Sequence, residues 1–148
     1  MGSVGKFLVL ESWKQRALVE SAIGVTWARL ETKVIPFRRI VRSLALGNED
    51  SRVDWEKSFN QLDAVRWSTA VLSARLPWCR NCLAQAVAAK RHLNRKGIPS
   101  TLFLGVTTEA PQTGGNLEAI EAHAWIECDG RVLTGESDTE FQIIYSQS

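Results

Sequence analysis

Two side chains in this sequence could do covalent chemistry together. Cys82 follows Asn81 at the head of a helix-like run, and His123 lies in Ala122-His123-Ala124-Trp125-Ile126-Glu127, which reads as a buried strand. A thiol becomes a strong nucleophile when a base takes its proton, and imidazole is the usual base. The chain has only 2 histidines. His92 falls in the basic Lys90-Arg91-His92 stretch of a helix and reads as solvent-exposed. His123 sits on an apolar strand, where a polar ring needs a reason to be present. A buried ring satisfied by a backbone carbonyl is the plain alternative to a catalytic base, and spacing alone leaves the two level.

The neighbours of Cys82 give it a chemical setting. Asn81 is a good N-cap residue, which places Cys82 in the first helical turn. Unpaired amides and the helix dipole favour negative charge there, so a thiolate is expected. Lys90, Arg91, Arg95 and Lys96 gather toward the other end and read as a solvated face. Asp129-Gly130 between two apolar runs is a two-residue hairpin signal. With that turn at the tip, Cys128 faces Arg131, Ile126 faces Leu133, Trp125 faces Thr134 and His123 faces Glu136. A carboxylate opposite the ring would hold its tautomer and stabilise the imidazolium. Glu136 as a solvated strand-end residue is the alternative, and Asp138 competes if the register slips. Asp129 is better read as a turn former.

Cys79-Arg80-Asn81-Cys82 admits two other chemistries. A thioredoxin-like dithiol needs a strand before the motif, and Ala74-Arg75-Leu76-Pro77-Trp78 is short and charged. A zinc site from Cys79, Cys82, Cys128 and His123 is weaker still. Cys128 and His123 lie five apart on a strand and point to opposite faces. No metal and no cofactor is expected.

These residues must be positioned by a helical front half followed by a helix and then strands. Leu10, Trp13, Leu18, Ile23, Trp27 and Leu30 recur near helical spacing, with Gly24-Val25-Thr26 weakening the middle. Pro36 ends that element, and Phe37 to Leu46 forms a second. Gly47 to Arg52 is a polar connector. A third helix runs from Asp54 to Ala74 and is broken by Leu76-Pro77-Trp78. The fourth spans Cys82 to Asn94, with Gly97 and Pro99 as its stop. Strands are expected over Ser100–Val106, Ala122–Glu127, Arg131–Gly135 and Phe141–Tyr145, with a loop over Thr107–Leu117. The fold class is α+β, with residues 1–52 a helical amino-terminal region and 53–148 the core of one compact unit.

At 148 residues, 45% hydrophobic and 23% charged, the composition is that of a globular chain. A net charge of +2 is too small to argue for nucleic acid. No run approaches the ~20 apolar residues a membrane span needs. The first residues lack the apolar core of a secretory signal. Three cysteines then read as reduced thiols in the cytoplasm. Six tryptophans are many for this length. Trp13, Trp27, Trp55 and Trp67 fall in the front half and are candidates for a partner-facing surface.

The stretch from Trp78 to Tyr145 resembles the leader peptidase of lasso-peptide biosynthesis, a transglutaminase-like cysteine protease. The matching blocks are Cys82-Leu83-Ala84-Gln85-Ala86, Arg95-Lys96-Gly97-Ile98-Pro99, Leu104-Gly105-Val106, Ala122 to Glu127 and Gly130-Arg131-Val132-Leu133. Pro36-Phe37-Arg38-Arg39 is similar to the family's variable front part. The resemblance implies a papain/transglutaminase-like core, with Cys82 as nucleophile and His123 as base. Its third member is an Asp shortly after the His-bearing strand. Here Thr134-Gly135-Glu136 fills that region, so Glu136, or else Asp138, would serve. The implied activity is removal of the leader from a ribosomally made precursor. The implied partners are that precursor, a separate leader-recognition protein and the ATP-dependent lasso cyclase. A transglutaminase-like acyl transferase or amidase of another pathway, and a non-catalytic peptide-binding scaffold, are the alternatives.

Overall fold

The computed structural model describes residues 11–45, 55–107 and 122–148. Helix α1 (Ser12–Val34) ends before Pro36, and the Ile35 N–H closes its last turn on the Glu31 carbonyl at 2.7 Å. Gly24 does not weaken α1. A Cβ there would meet the Ala88 Cβ at 3.5 Å, an ordinary packing distance, and the helix runs unbroken through this position. Helix α2 (Phe37–Ala45) buries Ile40 and Leu44, one turn apart. Helix α3 (Trp55–Arg75) buries Leu62, Val65 and Leu72 and stops at Leu76-Pro77. A 3-10 turn (Pro77–Arg80) then leads into helix α4 (Cys82–Arg95). The Gly97 and Ile98 N–H groups bond to the Asn94 and Leu93 carbonyls, both at 3.0 Å, with Gly97 at φ 67. Those bonds form a Schellman stop.

The strands are β1 (Thr101–Thr107), β2 (Ala122–Cys128), β3 (Arg131–Thr134) and β4 (Phe141–Gln147). They form one antiparallel four-stranded sheet in the order β3-β2-β1-β4. This is the α+β arrangement expected, with Cys82 at a helix amino end and that helix packed on the sheet. One buried cluster joins Val25 and Ala28 of α1, Ile40 and Leu44 of α2, Ala84, Val87 and Leu93 of α4, and Leu102, Ala124 and Ile126 of the sheet. Described residues on both sides of the expected boundary at 52 share that core. The connector over Gly47–Arg52 and most of the loop over Thr107–Leu117 lie outside the described residues.

Three expectations are corrected. Asp129-Gly130 forms the hairpin, with φ 50 and 72, and Cys128 does pair with Arg131. Beyond that, however, Glu127 pairs with Val132 and Ile126 with Thr134, because Leu133 is an extra, bulged residue. Ile126 therefore does not face Leu133, and the pairing that set His123 opposite Glu136 is lost. Lys90 is not on a solvated face: it is 0% exposed, and its Nζ donates to the Ser100 carbonyl. His92 is half-buried rather than exposed, with Gln61 Oε1 at 3.4 Å and a Glu20 oxygen at 3.9 Å.

Candidate active site

The chain is held firmly where it delivers Cys82. Gln85, buried one turn into α4, donates from Nε2 to the Cys79 carbonyl and to Ser73 Oγ at 2.5 Å. Arg80 Nε donates to the Ser73 carbonyl at 3.1 Å, and Arg29 Nη1 to the Trp78 carbonyl at 2.9 Å. Asn81 caps the helix as expected, its Oδ1 accepting from the Ala84 N–H at 2.8 Å. The 3-10 turn is thus pinned to α3, α1 and α4 before the thiol appears.

The three thiols are all free but differ in surroundings. Cys79 and Cys128 are 0% and 2% exposed, and burial pushes both thiols up, Asp129 adding to the rise at Cys128. A buried protonated thiol is inert. Cys82 is half-buried, at the first position of α4, where helix N–H groups point toward it. Of the three, it alone combines access with an electropositive helix end.

His123 lies on β2 opposite Gly105 of β1. Its ring stacks on Phe141 at 4.9 Å between centroids and on Trp125 at 6.0 Å, while Trp125 stacks on Phe103 at 5.4 Å. Nε2 lies 2.6 Å from the Gly135 carbonyl. A carbonyl oxygen only accepts, so Nε2 carries the proton and the neutral ring keeps its lone pair on Nδ1. Gly135 has φ 74, and a Cβ there would come within 2.5 Å of the Ala124 carbonyl and 3.0 Å of His123 Nε2. Only glycine can turn the chain back over the ring at this point. The carbonyl that satisfies the ring is also what fixes its tautomer.

Glu136 is not bonded to His123. Its carboxylate pairs with Arg66 at 3.0 Å, with side chains 71% and 54% exposed. Asp138 is exposed. Ala124 and Ile126 enter the core, so strand alternation puts the His123 ring on the other face of the sheet, among the aromatic rings. Among the described residues no hydrogen bond joins Cys82 to His123, and no group of three or more His, Cys, Asp or Glu is placed to hold a metal ion. Sequence reasoning missed Gln85 and the Gly135 carbonyl. Gln85 carried a signal, a polar residue on the buried stripe of an Ala-rich helix. The carbonyl carried none beyond the glycine itself.

The family model described as transglutaminase-like superfamily matches residues 24–146. That span includes α4, both candidate residues and the whole sheet. No curated protein and no solved structure matches the chain. Among the described residues no helix is long and apolar enough to cross a membrane.

Proposed function

Because the chain belongs to the transglutaminase-like superfamily, we propose that it is a cysteine peptidase that removes the leader from a lasso-peptide precursor. The observation that carries this reading is the free, half-buried Cys82 at the capped amino end of α4. His123 Nδ1 takes the Cys82 thiol proton, and Sγ attacks the scissile carbonyl carbon, forming a C–S bond. The imidazolium of His123 gives its Nδ1 proton to the departing amine as the C–N bond breaks. Water, losing a proton to Nδ1, then hydrolyses the thioester and frees the leader's carboxylate. Backbone N–H groups at the head of α4, that of Cys82 first, would hold the oxyanion. Catalytic hydrogen bonds commonly tighten only when substrate is bound. The proposal requires Nδ1 to come within reach of Sγ in that complex. The third role belongs to the Gly135 carbonyl that holds Nε2–H, with Glu136 and Asp138 the nearby carboxylates in the sequence.

The partners in this reading are the precursor, a separate leader-recognition protein and the lasso cyclase, and the setting is cytoplasmic. The test is mass spectrometry of the precursor encoded beside this gene, incubated with the recognition protein and either wild type or Cys82→Ala. Leader release by wild type alone is the expected result. Joining of the acyl group to an added amine instead of water would point to an acyl transferase. One observation favours a second reading: thiol and ring are not hydrogen-bonded here. A peptide-binding scaffold would leave the precursor intact, and its Cys82 would react with iodoacetamide no faster than a free thiol.

A further inference from the structure

Beside the turn that delivers Cys82 lies an open apolar groove of about 370 Å³ between α1 and the 3-10 turn. Ile23, Trp27 and Leu30 line one wall and Leu76 and Trp78 the other. Ile23 and Trp27 are each 66% exposed, Leu30 56% and Trp78 47%. Large side chains left this open at one place mark a binding surface. The volume suits one or two apolar side chains of a ligand.

The charges around the groove are one-sided. Arg29 anchors the Trp78 carbonyl, Arg80 follows two residues on, and Lys33 lies one turn beyond Leu30. Neither Arg29 nor Arg80 has a carboxylate partner among the described residues, and no acidic residue lines the groove. Helix α1 uses its carboxylates elsewhere: Glu11 binds Trp13 and Lys14, Glu20 lies by His92, and Glu31 grips Arg91 on α4. The groove therefore joins an apolar floor to neighbouring cations that have no carboxylate partner among the described residues.

We propose that this groove is a substrate subsite, which seats an apolar side chain of the precursor peptide flanked by carboxylates. The identity of the occupant rests on the peptidase reading. Trp78 is four residues before Cys82, so their Cα atoms lie within roughly 14 Å. An extended peptide anchored at Trp78 thus reaches the thiol in four or five residues. A second copy of this chain would bring the same cations against one another, which like charge opposes.

The experiment uses the Cys82→Ala chain, which binds peptide without turnover, and short fluorescein-labelled synthetic peptides read by anisotropy. One peptide carries Leu-Trp flanked by Glu, a second the same pair flanked by Lys, and a third Ser-Ser flanked by Glu. Tightest binding is expected for the first, weaker by about tenfold or more for the other two. Trp27→Ser and Ile23→Ser, both at exposed positions, should each lower its affinity by a similar factor. Unchanged binding in both variants overturns the proposal, and so does equal binding of the Lys-flanked peptide. Conversion of a wild-type dimer to monomers by Trp27→Ser overturns it as well, since the groove would then be an interface between copies. Iodoacetamide labelling of wild-type Cys82 separates the two ideas. An inert thiol with intact peptide binding defeats the peptidase reading and leaves the groove standing.

Discussion

The two ends of α4 handle the same kinds of side chain in opposite ways. At the amino end, Cys82 is half-buried at the first position of the helix, with Asn81 capping beside it. Toward the carboxyl end, Lys90 and Cys128 are 0% and 2% exposed, tied to the successive carbonyls of Ser100 and Pro99. One end keeps a thiol where a peptide can reach it. The other takes a thiol and an amine out of water and satisfies them with backbone. Surroundings, not residue type, set the accessible Cys82 thiol apart from the buried Cys128 thiol. The largest expected effect tests this contrast directly. Cys82→Ala should lower kcat/KM for precursor cleavage by roughly three orders of magnitude or more. Cys128→Ala should leave cleavage intact and cost on the order of 1 kcal/mol of stability. Iodoacetamide should mark Cys82 in the folded protein and reach Cys79 and Cys128 only after denaturation. Equal loss of activity in the two alanine variants would break the contrast.

The next effect concerns His123, the base in the proposed mechanism. Gly135→Ala would drive a Cβ to 2.5 Å from the Ala124 carbonyl and 3.0 Å from Nε2. The chain must move, and the carbonyl that fixes the His123 tautomer moves with it. A fall in kcat of roughly tenfold to a hundredfold is expected, with KM little changed. Stability should fall by about 1–3 kcal/mol, since alanine is also strained at φ 74. Glu136→Gln supplies the comparison. If its pH–rate profile changes and that of Gly135→Ala does not, the carboxylate rather than the carbonyl orients the ring.

The elements were readable because their punctuation is local. Pro36, Leu76-Pro77, Asn81, Gly97 and Asp129-Gly130 each act within a residue or two, and all bound the elements found. The bulge at Leu133 left no such mark: Val132-Leu133-Thr134 has no alternation to betray an extra residue, and Leu133 and Thr134 are both buried. That one residue undid the pairing of His123 with Glu136. Lys90 misled through its type. It shares a helix face with Ala86 and Leu93, at offsets of four and three, so its place on the buried stripe was legible. Its charge argued for solvent, and only the tertiary structure supplies the Ser100 carbonyl that makes burial tolerable. His92 repeats the pattern more mildly. Cys82 and His123 stood out as chemistry, but the partner of the ring is a main-chain atom, which has no letter in a sequence.

Lys90 sharpens the contrast from the closed end of the helix. Burial lowers the ammonium's pKa from its ordinary 10.5, with the neighbouring Cys128 thiol opposing. Between the lowered value and 10.5 the unfolded chain binds more protons than the folded one. Stability should therefore rise as pH climbs through that alkaline window. Lys90→Met removes the titration and keeps the volume. It should be neutral or stabilising by about 1–4 kcal/mol at neutral pH, and its Tm should lack the alkaline rise. A large loss of stability instead would mean that the bond to Ser100 outweighs the cost of burying the amine.

The smallest effect belongs to His92, one turn from the closed end. Burial lowers the pKa of its ring from 6.5; Glu20 opposes that, and Arg95 and Lys96 reinforce it. As pH falls below 6.5 the unfolded chain takes up a proton that the folded ring resists, so stability declines on the acid side. His92→Gln keeps a polar group facing Gln61 but cannot titrate. Its curve of Tm against pH should be flatter below 6.5 and coincide with wild type above it. A steeper acid limb in the variant would mean that the ion pair with Glu20 governs this site. The closed end of α4 would then hold a charge after all, and the distinction between the two ends would rest on Lys90 and Cys128 alone.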